Sequence, residues 1–394
     1  MNNNFDYSDY QINENDKKVL YDDNLIKKEN NNNFFNNFNN SSNKNLIISI
    51  CLILVVLGLI IGFIVFKAND KEKEEGEVNK DPDTSLKQEG ENDVPEKEVS
   101  IINVNSKTRP YAVMINCHNG ALPQAGLQNA YIVYELMVEG GITRMMALFK
   151  DKDVSKIGSI RSARTQYLDY VYEHDAIYVH AGGAPDALKR ITDEGINDID
   201  VDGAYGVRDK NLNRSWEHTL FTTTDLLKKG MNDKKFKTET NTKNVLTYQA
   251  NSLDLAVYKN TKNANNVSIK YSDYRTSNYV YDSKKQVYLR SMNNTKNVDL
   301  VTGEQYEVKN IIVYAVKHTT YKYGGNSKYQ KLDNVGKGEG YYITNGKAIP
   351  ITWEKTSKNT KTIYKVKETG KELILNDGNT YIQIYPTSGS LTIN

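Results

Sequence analysis

The segment Tyr131–Phe149 constrains the fold most strongly, because it reads YIVYELMVEGGITRMMALF, two apolar runs joined through a Gly-Gly pair. Its first run, Tyr131–Val138, is apolar on both faces, which is typical of a strand in the middle of a covered sheet. The second run, Arg144–Phe149, predicts a neighbouring strand. Glutamates and arginines lie at the ends of these runs, and we expect function there.

Strands and helices alternate around that segment. Short apolar runs predict two further strands, Tyr111–Ile115 and Ala176–His180. Ser162–Glu173 carries apolar residues on one helical face, and Pro185–Asp193 begins with a proline suited to a first helical turn. Thr224–Gly230 predicts a short helix with a threonine cap and a glycine stop. This order indicates an α/β or α+β domain over residues 105–250.

The chain changes character after about Ser252, where short alternating runs recur. They predict strands at Val267–Tyr271, Tyr279–Tyr281, Gln286–Leu289, Ile311–Val316, Gly340–Ile343, Ile349–Trp353, Thr362–Val366 and Tyr381–Tyr385. Asn345-Gly346 and Asp377-Gly378 are hairpin-type turn sequences. Residues 251–394 are therefore predicted to form a second, mainly antiparallel β domain.

The first hundred residues divide into three segments. Residues 1–45 are rich in asparagine and are expected to be a disordered cytoplasmic tail, because they cannot bury enough apolar surface to fold. Residues 46–66 form an uncharged apolar run long enough to cross a bilayer as one helix, which predicts an uncleaved transmembrane anchor. Residues 67–104 are charged and contain glycine and proline, as a linker does. Lysines lie on both sides of the apolar run, so the charge rule does not decide its orientation.

The charge and cysteine content exclude several classes of function. A formal net charge of +2 gives no reason to expect a nucleic acid as partner. Cys51 lies in the apolar run, so Cys117 has no disulfide partner in the folded part, and a thiolate metal site is not expected. The chain has no GxGxxG or Walker pattern, so we expect no nucleotide cofactor.

Glu135 and Glu139 are the candidate catalytic carboxylates. Four residues along a strand separate their side chains by roughly 13 Å, whereas a glycosidase pair needs ~5 to 10 Å. They are therefore not each other's partners. Glu135 lies inside an apolar run, which indicates either a buried ion pair with an arginine or a general acid. Glu139 ends its strand and is the better catalytic candidate.

Three arginines are the candidate ligand-binding cations. Arg161 and Arg164 bracket the start of the predicted helix at Ser162, where the helix dipole already disfavours positive charge. Arg144 begins the strand after the Gly-Gly pair and is placed to join them. Either a bound anion or an internal carboxylate would compensate this charge, and the sequence leaves both alternatives open.

Two histidine segments complete the predicted crevice. His180, Gly182 and Gly183 follow a strand and precede a helix, where ligands bind in open α/β sheets. His218 lies in the polar loop RSWEHT and is a candidate acid or base, with a structural role as the alternative. No third ligand accompanies these histidines, so no metal is expected.

Six stretches of the chain are similar to one known family. Arg109–Phe149, Ile157–Arg164, Tyr178–Pro185 and Glu217–Thr222 resemble the YerB family of cell-surface proteins of Gram-positive bacteria, and Asn345–Lys355 and Gly370–Pro386 resemble its C-terminal β domain. The family's domain is catalogued as of unknown function, so the resemblance implies no catalytic residue. Its members are usually lipoproteins, and the apolar run 46–66 departs from that pattern. The resemblance implies that the large C-terminal part is extracellular.

Three functions fit these features. The first is a membrane-anchored envelope protein that binds an acidic wall component, or another envelope protein, in an arginine-lined crevice. The second is a cleaving enzyme for wall glycan, of the glycosidase or lytic transglycosylase type, with Glu139 or Glu135 as general acid. The third is transfer of a phosphate-bearing glycan, since SIRSAR resembles an arginine segment of the LytR-CpsA-Psr ligases, although the aspartates of those ligases are missing.

Overall fold

The computed structural model describes residues 98–323, 325 and 328–394, which belong to one compact unit, Asp93–Asn394. The predicted tail 1–45, the apolar run 46–66 and most of the linker 67–104 lie outside these residues. In the part of the chain that is described, no helix is both long and apolar enough to cross a membrane.

Strands dominate the described residues. They are β1 Tyr111–Asn116, β2 Ile132–Met137, β3 Thr143–Phe149, β4 Ile157–Gly158, β5 Ile177–His180, β6 Asp198–Asp200, β7 Val207–Arg208, β8 Leu220–Thr222, β9 Thr247–Gln249, β10 Lys262–Asn263, β11 Asn266–Ser272, β12 Arg275–Asp282, β13 Val287–Met292, β14 Thr295–Lys296, β15 Glu307–Val308, β16 Asn310–Val316, β17 His318–Lys322, β18 Lys328–Leu332, β19 Gly336–Thr344, β20 Lys347–Lys355, β21 Ile363–Val366, β22 Ile374–Asn376, β23 Thr380–Pro386 and β24 Ser390–Ile393. The α-helices are α1 Thr165–Glu173, α2 Pro185–Asp193 and α3 Thr224–Asp233.

A large mixed sheet holds the two halves of the chain together. Its strand order is β10-β20-β19-β16-β23-β2-β3-β1-β5-β6, with β21 paired to β20. Strand β23 from the C-terminal half lies between β16 and β2 and is parallel to both, with Val133 opposite Tyr381. The two stretches that the sequence divides at residue 250 therefore share one sheet.

Alternate residues of this sheet bury two different apolar faces, as the period of a strand requires. On β1, Met114 faces the side covered by α1 and α2, where Tyr134, Tyr167 and Tyr178 also pack. The neighbouring Ile115 faces the other side, which contains α3 and a second sheet of order β14-β13-β12-β11-β24. With a core on each side, the central strands are covered on both faces, as the sequence predicts for Tyr131–Val138.

The alternation of strand and helix holds for only part of the first half. Strands β1, β2 and β3 are joined through short 3-10 turns and pair antiparallel as β1-β3-β2. Parallel pairing joins β1 to β5 and β5 to β6 around α1 and α2. The described fold is therefore β-rich with few helices, and the antiparallel pairing predicted for the C-terminal half is present there.

Several element boundaries differ from the predictions. Helix α1 begins at Thr165 and not at Ser162, so Arg164 is its N-cap residue and Arg161 lies outside the helix. Helix α3 continues through Gly230 to Asp233, because this glycine does not adopt the positive φ of a glycine that ends a helix. It packs instead against Ile199 and Tyr205, where a Cβ atom would lie 3.1 Å from Ile199 Cδ1. Strand β2 ends at Met137, and Glu139 begins a 3-10 turn in which Gly140 has a φ of 67°. Glu139 therefore leaves the strand that carries Glu135.

Candidate functional site

The candidate crevice lies at the carboxyl end of the parallel strands β1, β2 and β5. The segment 159–164 passes between these ends: Arg161 N donates to Met114 O at 3.0 Å, and Ala163 N donates to Gly182 O at 2.9 Å. Such hydrogen bonds hold the segment as an added strand-like edge. The three loops 139–141, 159–164 and 181–183 thus lie together at the ends of these strands, where ligands bind in open α/β sheets.

Glu139 and Arg164 form the closest ion pair of the crevice. Arg164 Nε donates to Glu139 Oε1 at 2.6 Å, and the two side chains are 13% and 21% exposed, respectively. Arg164 Nη1 also donates to Ala163 O at 2.8 Å, and the guanidinium lies 5.7 Å from the ring centre of Tyr329. A charge-assisted hydrogen bond of this length fixes both side chains.

Arg144 is a buried cation without a carboxylate partner. Its Nη1 donates to Ser162 O at 2.6 Å, and the side chain is 7% exposed. No described carboxylate lies within 4.0 Å of it. Burial lowers the pKa of Arg144 to about 9, and repulsion by Arg164 and Arg161 adds to this effect. A guanidinium in this position is stabilised when an anion comes close.

Arg161 is more exposed than Arg144 and Arg164, and it is less strongly paired than Arg164. Its Nη2 lies 3.5 Å from Glu217 Oε2, and Glu217 is 55% exposed. Burial lowers the pKa of Arg161; Glu217 opposes this change, while Arg164 and Arg208 reinforce it. The side chain of Arg161 is 26% exposed, and its positive charge is only partly compensated by Glu217.

His218 lies behind Glu217 in contact with a second histidine. Its Nε2 is 3.3 Å from Glu217 Oε1, and its Nδ1 is 3.0 Å from Asn116 Nδ2. The ring stacks on that of His118, with centroids 4.9 Å apart. Burial lowers the pKa of His218 to about 4 and also lowers that of His118. Both rings are therefore neutral at pH 7, and sequence reasoning missed His118 because a hundred positions separate it from His218.

His180, Gly182 and Gly183 shape the turn after β5. His180 is 1% exposed, and its two ring nitrogens lie 2.9 Å from Gly182 O and 3.2 Å from Asp198 Oδ2. Gly182 has a φ of 56°, and its N–H donates to Asp200 Oδ2 at 3.0 Å. Gly183 packs so tightly that a Cβ atom would lie 2.7 Å from Leu188. These residues hold the segment 161–163 in place, and the imidazole points into the protein.

Glu135 lies in the interior, away from the crevice. Its carboxylate is 2.9 Å from Arg290 Nη2 and accepts hydrogen bonds from Thr143 at 2.7 Å and from Ser277 at 3.0 Å. The side chains of Glu135 and Arg290 have no exposed surface. The structure thus pairs this carboxylate with an arginine of the C-terminal half and leaves it no access to a large ligand.

Arg275 is a further cation that the sequence did not single out. It is 1% exposed, and its Nη2 donates to Cys117 O at 2.5 Å. Its Nε and Nη1 have no hydrogen-bond partner among the described residues. Its charge lowers the pKa of His118, as that of Arg161 does. One arginine from each half of the chain, Arg161 and Arg275, therefore acts electrostatically on His118.

The acidic and sulfur side chains of the described residues do not form a metal site, since no three histidine, cysteine, aspartate or glutamate side chains converge there. Cys117 is buried, and burial raises the pKa of its thiol to about 12. The groups that can act on a ligand are thus guanidinium, carboxylate and neutral imidazole.

Sequence comparison identifies the class of protein that has this fold. Residues 99–237 match a family model described as the N-terminal domain of a protein of unknown function, DUF3048, and residues 267–382 match the model of its C-terminal domain. The chain belongs to this family.

One relative is "Putative lipoprotein YerB" of Bacillus subtilis (strain 168). It is 30% identical over 295 residues, which are 73% of this chain and 85% of YerB. The crystal structure of YerB superimposes with a TM-score of 0.62 at 27% identity and covers 73% of this chain and 94% of that one. The resemblance read from the sequence is confirmed.

Proposed function

We propose that this protein is an extracytoplasmic component of the cell envelope that binds an acidic group of a wall polymer in the arginine-lined crevice. The family relationship to a putative lipoprotein supports the location. The uncharged run 46–66 would attach the chain to the membrane as a single span, with the linker 67–104 holding the folded part away from the bilayer.

One observation carries the binding proposal: Arg144 is buried with no carboxylate of the described residues within 4.0 Å, and the nearby charges of Arg161 and Arg164, each paired with one carboxylate, lower its pKa further. A protein pays for such clustering in stability. A ligand carboxylate or phosphate at Arg161 would relieve the repulsion and form charge-assisted hydrogen bonds. An envelope protein as ligand would have to present the same acidic chemistry.

The enzymatic alternative has less support. Cleavage of wall glycan would need a carboxylic acid facing the substrate, and Glu135 has no exposed surface. Glu139 is reachable, but its Oε1 is held by Arg164 at 2.6 Å. His218 is a neutral imidazole that could accept a proton, and it is 3% exposed behind Glu217. We therefore favour binding, with these three residues shaping the crevice.

The test is co-sedimentation of the full chain, purified in detergent, with purified cell wall at low and high salt. Arg161→Ala should weaken binding roughly 10-fold or more, since a hydrogen bond to a charged group contributes about 1.5–3 kcal/mol. The matched control is Lys285→Ala, which removes the same charge near the far end of β12, where Lys285 pairs with Glu307.

Two further arms separate the ligand chemistries. Wall stripped of its phosphate polymers with hydrofluoric acid should still bind if the recognised group is a carboxylate. Release of soluble glycan fragments that stops with Glu139→Gln would replace the binding proposal with the enzymatic one. Equal binding by Arg161→Ala and wild type would refute the crevice as the binding site.

A further inference from the structure

An exposed and fixed indole lies beside the arginine-lined crevice. Trp216 is 65% exposed, which is unusual for the largest apolar side chain. The Arg208 guanidinium lies 4.1 Å from its ring centre, donates Nη1 to Trp216 O at 2.8 Å, and pairs through Nη2 with Asp202 at 2.7 Å. The arginine therefore braces the indole, whose remaining surface is open to solvent.

Two residues connect Trp216 with the arginine-lined crevice: its chain neighbour Glu217, and Arg208. Glu217 follows it directly and lies 3.5 Å from Arg161, while the charge of Arg208 lowers the pKa of Arg161. A ligand that contacts Arg161 thus has a rigid aromatic surface next to it. A rigid aromatic group gives contact area at little cost in conformational entropy.

A second recess continues on the other side of Arg208. It is a cavity of about 500 Å³ lined by Arg208, Lys156, Lys210, Val207, Phe221 and Leu226, among others. Lys156 pairs with Asp209 and lies 4.7 Å from the ring centre of Phe221. Val207, Phe221 and Leu226 thus make part of the wall apolar, and basic side chains and Asp209 add charged groups to it. Arg208 thus contacts the tryptophan and also lines this recess, an arrangement that fits a ligand made of linked units.

We propose that Trp216 is a stacking platform for a sugar ring of an acidic glycan. The acid group of the glycan is bound by Arg161, and the chain continues past Arg208 into the second recess. A sugar ring presents an apolar C–H face edged by hydroxyl groups, which matches an indole that has Arg208 stacked on one face and the half-exposed carboxylate of Glu217 next to it in the chain. Only the binding of the acid group by Arg161 rests on the proposed function; the stacking of a sugar ring on Trp216 does not.

The two tryptophans of the chain make the test direct. Trp353 is 4% exposed, so in a Trp353→Phe background the emission of the full chain reports Trp216. The probes are oligosaccharides of alternating N-acetylglucosamine and N-acetylmuramic acid, in which every second ring carries a carboxylate. Their uncharged counterpart is a linear oligomer of N-acetylglucosamine. We expect a saturable blue shift of Trp216 emission with the acidic probe and a weaker one with the uncharged probe.

Variants separate the two parts of the proposal, with binding measured by calorimetry. Trp216→Ala should weaken both probes about 10-fold, whereas Trp216→Phe keeps an aromatic face and should retain most of the affinity. Arg161→Ala should weaken only the acidic probe. If Trp216→Ala binds as wild type while Arg161→Ala does not, the platform is refuted and the anion site stands. If neither variant changes binding, both proposals are refuted.

Discussion

The buried pair of Glu135 and Arg290 provides the sharpest test of how the fold is held together. Arg290 donates to Glu135 at 2.9 Å, to Tyr279 at 3.3 Å and to Asn297, and it has no exposed surface. Arg290→Met fills a similar volume but leaves a buried carboxylate without its cation. Breaking a buried pair in this way costs about 3–5 kcal/mol. We expect the free energy of unfolding to fall by that amount.

The assay is urea unfolding of the full chain, followed by circular dichroism and tryptophan emission. The double variant Glu135→Gln/Arg290→Met removes both charges while the amide still accepts from Thr143 and Ser277, and it should recover most of the loss. The control is Lys189→Met, an exposed residue of α2 that pairs with Asp193, which should leave the midpoint unchanged. A loss below about 1 kcal/mol in Arg290→Met would refute the reasoning, since it would show that the carboxylate needs no partner.

Three further predictions concern the crevice and its surroundings. Burial lowers the pKa of His218 from 6.5 to about 4, so the unfolded chain binds a proton first as the pH falls. Stability should be constant above pH 6.5 and fall toward pH 4, and His218→Asn should make that slope shallower in urea titrations at each pH. Gly183→Ala should cost about 1–3 kcal/mol, because its methyl group would lie 2.7 Å from Leu188; unchanged thermal stability would contradict this. In a Cys51→Ser background, iodoacetamide should label Cys117 only after denaturation, since burial raises the pKa of that thiol to about 12. The label is measured by mass spectrometry, and labelling of Cys117 in the native protein would contradict this prediction.

Local patterns were sufficient to predict most elements near the crevice. The apolar runs at Tyr111–Ile115 and Arg144–Phe149 correspond to β1 and β3, and the proline-led helix begins at Pro185 as predicted. The strand-end rule also brought Glu139 and Arg164 to the same edge of the sheet, where they pair. These features depend on side-chain period and on neighbours within a few dozen positions, which a sequence shows directly.

Long-range pairing could not be predicted in the same way. Glu135 was expected to pair with an arginine, but its partner Arg290 lies 155 positions away on another sheet. His118 meets His218 because β1 and the loop before β8 end side by side, and nothing in either local sequence indicates that contact. Trp216 was noted as part of a polar loop, and only the structure shows that Arg208 braces it. Such contacts depend on the order of the strands in the sheets, and the local periodicity of a sequence does not determine that order.

The position of β23 has a consequence for how the protein is made. Its residues 380–386 lie between β16 and β2, so the middle of the large sheet contains a segment that is synthesised well after β2. A nascent chain that ends before this strand exposes the backbone groups of β2 along one edge, and exposed edges invite pairing with other chains. Native closure of the sheet has to wait until β23 has emerged, and it brings together residues far apart in sequence, which slows folding. A premature stop before β23 would therefore disable the N-terminal half as well.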